Sequence, residues 1–338
     1  MVLNRFYCII RHRCRHNGGA VALGNARMFA LVEGIHTGSG FYAIGGDQVG
    51  DTTSGTPADV WVQRGEDHLL GGEPEKAVEC LTQAIAISPD SVAALTMRGI
   101  ALSHLGRFDE ALADFTKAVS LDPHNSWALT NRGALYNQLG RYDEGIADLT
   151  RSISLNPENA TPYFNRGLAH DAMDEYEEAV SDYTEAIRIE PDYAEAYCNR
   201  GIEYGKMEEY DRSVSDFSEA IRIDPSDARA YFNRGYSLFC LAKHAEAVAD
   251  YTHAAKLNPQ ESTIYFYRGC AYDAVGRFAD SIVDYSRAIA LDDQNPEAFY
   301  NRGAAYLKLG KRQEAIKDLK RSDEMGFNEA HELLNEIS

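Results

Sequence analysis

From residue 58 onward the chain repeats one arrangement of apolar, small and polar positions. Its anchor is an Arg-Gly pair at Arg64-Gly65, Arg98-Gly99, Arg132-Gly133, Arg166-Gly167, Arg200-Gly201, Arg234-Gly235, Arg268-Gly269 and Arg302-Gly303, spaced by 34 residues without insertion. Sixteen residues after each glycine stands a large side chain: Leu81, Phe115, Leu149, Tyr183, Phe217, Tyr251, Tyr285 and Leu319. Twelve after it the residue is small, and nineteen after it every unit has Ala or Ser. Twenty-four after it a proline, from Pro89 to Pro259, closes each of the first six units.

This pattern predicts two antiparallel helices per unit. Glycine on the first helix and a small residue on the second let the backbones approach, and the large side chain fills the space beside them. The second small residue admits the first helix of the next unit, and proline stops the second helix. Gly106, Gly140, Gly276 and Gly310 mark the turns within pairs, where Asp174, Glu208 and Ala242 stand in other units. One such pair cannot bury its apolar face alone, so stacking must supply the core.

In its eight in-phase units, residues 58–329, the chain resembles the tetratricopeptide repeat family, whose period is 34. The resemblance implies an all-α, right-handed superhelical solenoid of helix-turn-helix repeats that serves as a non-enzymatic scaffold or adaptor. A C-terminal capping helix is expected over residues 330–338, since Ala330, Leu333, Leu334 and Ile337 recur at helical spacing. Such a lid covers the outer face of the last repeat.

One feature departs from the family pattern. The residue before the glycine is usually apolar there, and here it is arginine. Fifteen residues after the glycine, seven units carry an aspartate, which predicts the ion pairs Arg98–Asp114, Arg132–Asp148, Arg166–Asp182, Arg200–Asp216, Arg234–Asp250, Arg268–Asp284 and Arg302–Asp318. A row of arginines would otherwise read as an anion grip, but the matching acids favour an architectural role. The first unit has Cys80 in place of the acid.

The resemblance also places a binding groove on the first helices. Two residues before the glycine stand Asn131, Asn165, Asn199, Asn233 and Asn301, an arrangement similar to the ladder in the enzyme attaching N-acetylglucosamine to Ser and Thr. There the amides hold the backbone of an extended peptide. The alternative is that each amide bonds neighbouring backbone of its own helix. Phe164, Phe232, Phe266 and Tyr300, with Tyr236, would line the groove beside the ladder. The family's carboxylate clamp needs Lys three before the glycine and Asn just after it, and this chain has neither pattern.

Charge and composition then narrow the partner. The 338 residues carry a formal net charge of −19, which disfavours nucleic acid. Groove charges read from the phase, with Asp171, Glu195, Asp273 and Glu297 against Lys206, Arg229 and Lys308, favour a neutral to mildly basic protein or peptide. No apolar run is long enough for a membrane span. Six dispersed cysteines suit a reducing, intracellular and cytoplasmic setting rather than a disulfide framework. Cys8, His12, Cys14 and His16 match no zinc spacing, so no metal or other cofactor is expected. The absence of phosphate loops, HExxH or nucleophile elbows argues against an enzyme.

Residues 1–57 lack the period and are basic and glycine-rich. They read as a flexible leader, an organelle-targeting segment or the product of a misassigned start codon. Self-assembly into homo-oligomers, and less strongly RNA binding, stand as alternatives to the scaffold reading.

Overall fold

A computed structural model describes residues 56–337, and every described element is helical. The residues fall into two compact units that divide between Ala196 and Tyr197. The first contains α1 (Pro57–Leu70), α2 (Pro74–Ile87), α3 (Val92–His104), α4 (Phe108–Leu121), α5 (Ser126–Gln138), α6 (Tyr142–Leu155), α7 (Ala160–Ala172) and α8 (Tyr176–Ile189). The division falls in the first turn of α9 (Ala194–Lys206). The second unit continues with α10 (Tyr210–Ile223), α11 (Ala228–Cys240), α12 (His244–Leu257), α13 (Ser262–Ala274), α14 (Phe278–Leu291), α15 (Pro296–Lys308), α16 (Arg312–Glu324) and α17 (Asn328–Ile337). Odd-numbered helices up to α15 are the first of each repeat, even-numbered ones the second. Of the expected leader, residues 1–55 lie outside the described residues.

Local sequence explains where the helices begin and end. Thr56 caps α1 in a reciprocal capping box with Asp59, and Pro57 opens the first turn. Ser91, Asn125, Asn159, Asp227 and Asn295 likewise accept a backbone N–H at the start of later first helices. First and second helices are joined by a residue in the left-handed region. It is glycine at Gly106, Gly140, Gly276 and Gly310, with φ of 71–77°. Asp174, Glu208 and Ala242 adopt the same conformation at φ 59–62° without that freedom.

The helical glycines serve a different need. A Cβ at Gly167 would lie 2.7 Å from the Tyr183 ring, and one at Gly99 2.6 Å from Phe115. In the first unit Leu81, Met97, Ile100, Phe115 and Leu135 fill the core. In the second, Phe217, Phe232, Tyr251, Tyr267 and Tyr285 fill it with rings. Leu319, Ala330 and Leu333 close its end between α16 and α17.

An arginine seam runs through the repeats. Arg166 donates Nε and Nη2 to the two Asp182 oxygens at 2.8 and 2.7 Å. The same fork joins Arg98 to Asp114, Arg132 to Asp148, Arg200 to Asp216, Arg234 to Asp250, Arg268 to Asp284 and Arg302 to Asp318, at 2.6–2.9 Å. Each carboxylate is buried, so the two-point, charge-assisted geometry is what makes its desolvation tolerable.

A third group joins this seam that the sequence reading passed over. Arg98 donates to Thr82 at 3.2 Å, Arg166 to Thr150 at 2.9 Å and Arg234 to Ser218 at 3.1 Å. Arg268 and Arg302 reach Thr252 and Ser286 in the same way, at 3.3 and 3.0 Å. Every such hydroxyl belongs to the second helix of the preceding repeat. The arginine therefore ties three helices across a repeat boundary. Its signal was available in the sequence, because Thr or Ser stands seventeen residues after the glycine in the first seven units.

Candidate peptide-binding face

The asparagine column divides by burial. In the first unit Asn131 and Asn165 are buried within α5 and α7. Asn131 Nδ2 donates to the Trp127 carbonyl, one turn back, at 2.9 Å. The Asn165 carbonyl accepts from Asn137 Nδ2 at 2.7 Å, a bridge between α5 and α7 that the sequence reading did not anticipate. In the second unit Asn199 and Asn301 are half-buried, and Asn301 Nδ2 points at Cys270 Sγ at 3.8 Å. Asn233 is 1% exposed. Its Oδ1 is buried and meets no hydrogen-bond donor. These amides thus differ from an open row of equivalent groups: Asn131, Asn165 and Asn233 are buried, Asn199 and Asn301 half-buried.

The aromatic set is likewise interior. Phe164 packs on Tyr183 and Tyr193, with centroids 5.7 and 4.8 Å apart. Phe232 meets Tyr251 and Tyr267 at 5.6 and 5.7 Å. Tyr236 lies edge-on to Tyr267 at 6.0 Å, Phe266 packs on Tyr285 at 6.0 Å, and Tyr300 packs on Phe327 at 5.2 Å. All five expected groove rings are buried, each against aromatic neighbours within its own unit.

Polar groups interrupt the interior of the second unit. Glu203 is buried and pairs with Lys206 at 3.0 Å. Ser213 donates to the Gly201 carbonyl at 2.7 Å and shares a proton with Ser237 at 2.9 Å. Further along, Tyr285 donates its phenol to Asp273 Oδ2 at 2.9 Å. Burial pushes the Asp273 carboxyl up to about 6, against the opposing pull of the Ser281 and Tyr285 hydroxyls and of Lys308. Burial also drives the Cys270 thiol far above its ordinary range, so it is an inert packing thiol rather than a nucleophile.

Among the described residues no group of three or more His, Cys, Asp or Glu is placed to hold a metal ion. No helix there is long and apolar enough to cross a membrane. The Cys8, His12, Cys14 and His16 group lies outside the described residues.

Profiles described as "Tetratricopeptide repeat" match residues 92–125, 126–159, 194–227, 228–261 and 296–325, and "TPR repeat" matches 172–208 and 271–310. The chain belongs to the tetratricopeptide repeat family. No curated protein matches it significantly. Among solved structures, a tetratricopeptide repeat protein of Parabacteroides merdae is 24% identical with a TM-score of 0.51, covering 77% of this chain and 100% of its own. PilF of Pseudomonas aeruginosa is 20% identical with a TM-score of 0.56, covering 60% of this chain and 93% of its own. YrrB, described as a TPR protein with an unusual peptide-binding site, is 24% identical with a TM-score of 0.50, covering 53% of this chain and 92% of its own. At these identities the likeness concerns the fold. The family's proteins are protein-interaction scaffolds, and this chain has that architecture.

Proposed function

We propose that the protein is a non-enzymatic adaptor that holds an extended peptide, or a partner's helix, against the face formed by its first helices. The observation that carries this reading is Asn233. Its amide oxygen is buried and has no donor, and leaving an acceptor so placed costs about 1–3 kcal/mol. Asn is also a mediocre helix former, so its recurrence at one phase calls for a reason. A bound backbone N–H, reached through a modest shift of the covering side chains, supplies the missing donor whatever the ligand's side chains are. Asn199 and Asn301 are the half-buried members through which a ligand first makes contact. The segment is neutral to mildly basic, in keeping with the net charge of −19.

Peptide display on the full chain tests this. Selected peptides should lose about tenfold in affinity with Asn199→Ala and Asn233→Ala combined, while far-UV circular dichroism stays unchanged. Failure to select any peptide, or selected peptides indifferent to the variant, overturns the reading.

A second reading has its own observation. On α1, the first described helix, Val60 and Leu70 are 48% and 67% exposed, apolar surface suited to self-association. Light scattering across a concentration series separates the two: a constant monomer mass removes self-assembly.

A further inference from the structure

The groups around Asp273 stand apart from the other polar inclusions. Glu203 has Lys206, and each seam aspartate has an arginine. Asp273 is anchored through Oδ2 by Tyr285 at 2.9 Å, while its Oδ1 receives no hydrogen bond. The Ser281 hydroxyl lies close enough to pull the carboxyl down, but its Oγ is placed to donate to the Phe278 carbonyl at 3.0 Å. The carboxylate is therefore held in position with half its acceptor capacity unused. Ordinary packing gives no reason for that, because a carboxylate oxygen buried without a donor is costly.

Its place in the repeat matters too. Asp273 lies four residues after Gly269 on α13, within electrostatic reach of Lys308 on α15. From α14 it faces Tyr285 and Ser281, and from α15 it feels Lys308. Glu297 of α15 acts with Asp273 on the Cys270 thiol, one turn back on α13. From α11 and α12, Cys240 and Tyr251 act on each other and, through Tyr251, on Cys270 rather than on Asp273.

Resting on the peptide-binding reading above, we propose that Asp273 is a clasp for one basic side chain of the bound segment, a lysine or an arginine, and that the clasp opens on acidification. Once the side chains over the buried Oδ1 shift aside, an ammonium or guanidinium brings the N–H donors that Oδ1 lacks, and the Oδ2–Tyr285 bond preorients the carboxylate to receive them. The occupant is cationic rather than neutral because an ionised carboxylate adds charge attraction to the hydrogen bond it accepts. The raised position of the carboxyl, about 6, sets where the clasp is lost. Above it the acid is ionised and binds the cation. Below it the acid is neutral, while lysine and arginine remain charged.

Two fluorescent nonapeptide pools with randomised flanks free of His, Asp and Glu test this, one with lysine fixed at the centre and one with norleucine. Anisotropy with the full chain at pH 7.5 should show the lysine pool bound about tenfold more tightly. That preference should vanish at pH 5.0, and at pH 7.5 with Asp273→Asn. The pH arm uses the unaltered chain, so it stands even if the variant folds poorly. Equal binding of both pools at pH 7.5 overturns the clasp while leaving the peptide-binding reading intact. A lysine preference that persists at pH 5.0 or in a folded Asp273→Asn variant overturns it as well. Binding of neither pool overturns both.

Discussion

Arg64 and Arg268 occupy the same position six repeats apart, and although each lies over the ring three residues before it, their other surroundings differ. Arg268 is 16% exposed, forks onto Asp284 and reaches Thr252 on the preceding helix. Arg64 is exposed, has Cys80 where the acid would stand, and lies over the Trp61 ring at 5.0 Å. No second helix precedes α1 among the described residues to supply a hydroxyl or a cover. The comparison teaches that the arginine is not placed for itself. It becomes a structural residue where a preceding repeat buries it, and there an acid accompanies it.

The sharpest break of this comparison is removal of the guanidinium at each site. Arg268→Ala strands the buried Asp284 carboxylate and removes the bond to Thr252, so it should cost about 3 kcal/mol in chemical denaturation. Arg64→Ala should leave the denaturation midpoint unchanged. Equal losses at the two sites would mean that the preceding repeat does not matter.

Next in size is Asp273, a half-buried acid treated in the opposite way from Asp284. Its carboxyl sits at about 6 in the folded chain against an ordinary 3.8. A folded value above the unfolded one means that ionisation destabilises the fold. The penalty is absent below about pH 4, grows between pH 4 and 6, and is complete above it. Asp273→Asn should therefore stabilise the protein by about 2 kcal/mol at pH 7.5, with no gain at pH 4. Thermal midpoints of the two chains measured across this range check the sign. A gain independent of pH would mean that packing, not charge, is at work.

These contrasts also mark what the sequence makes legible. The period, the helix pairs and the turns follow from residues whose role is local: a glycine that a Cβ would push into Tyr183, a proline that cannot continue a helix. The hydroxyls of Thr82, Thr150 and Ser218 were equally readable, since they keep the same phase as the arginines they serve. The binding face is harder. Phase says that Asn165, Asn199 and Asn233 are equivalent, but Asn165 and Asn233 are buried and Asn199 is half-open. Phe164 and Phe232 are likewise drawn inward by Tyr183 and Tyr251. A periodic pattern fixes which helix a side chain is on; neighbouring repeats fix whether solvent reaches it. The unserved oxygen of Asp273 is less legible still, because it depends on where Ser281 sends its proton.

A smaller effect separates Ala242 from Gly276, which share one turn position. Ala242 holds φ at 61° with a Cβ, while Gly276 adopts 77° without one. Ala242→Gly should stabilise by about 0.5–1 kcal/mol, the relief of left-handed strain less the added freedom of the unfolded chain. Gly276→Ala should cost a similar amount. Both are read from urea midpoints at constant slope.

The smallest expected effect bears most directly on the opening comparison. Cys80→Asp gives the first repeat the acid that the other seven possess. If the Arg–Asp pair were stabilising in its own right, this change would strengthen the start of the stack noticeably. In the exposed setting of Arg64, however, the new pair stays in high dielectric, is screened by salt and must hold two mobile side chains. It also competes with the Trp61 ring for the guanidinium. The thermal midpoint should therefore rise by no more than about 1 °C, and less at high salt. A rise of several degrees that survives 0.5 M salt, about the range where exposed pairs are screened out, would show that the acid alone makes the seam. The preceding helix would then be incidental, and the contrast between Arg64 and Arg268 would come down to a single residue.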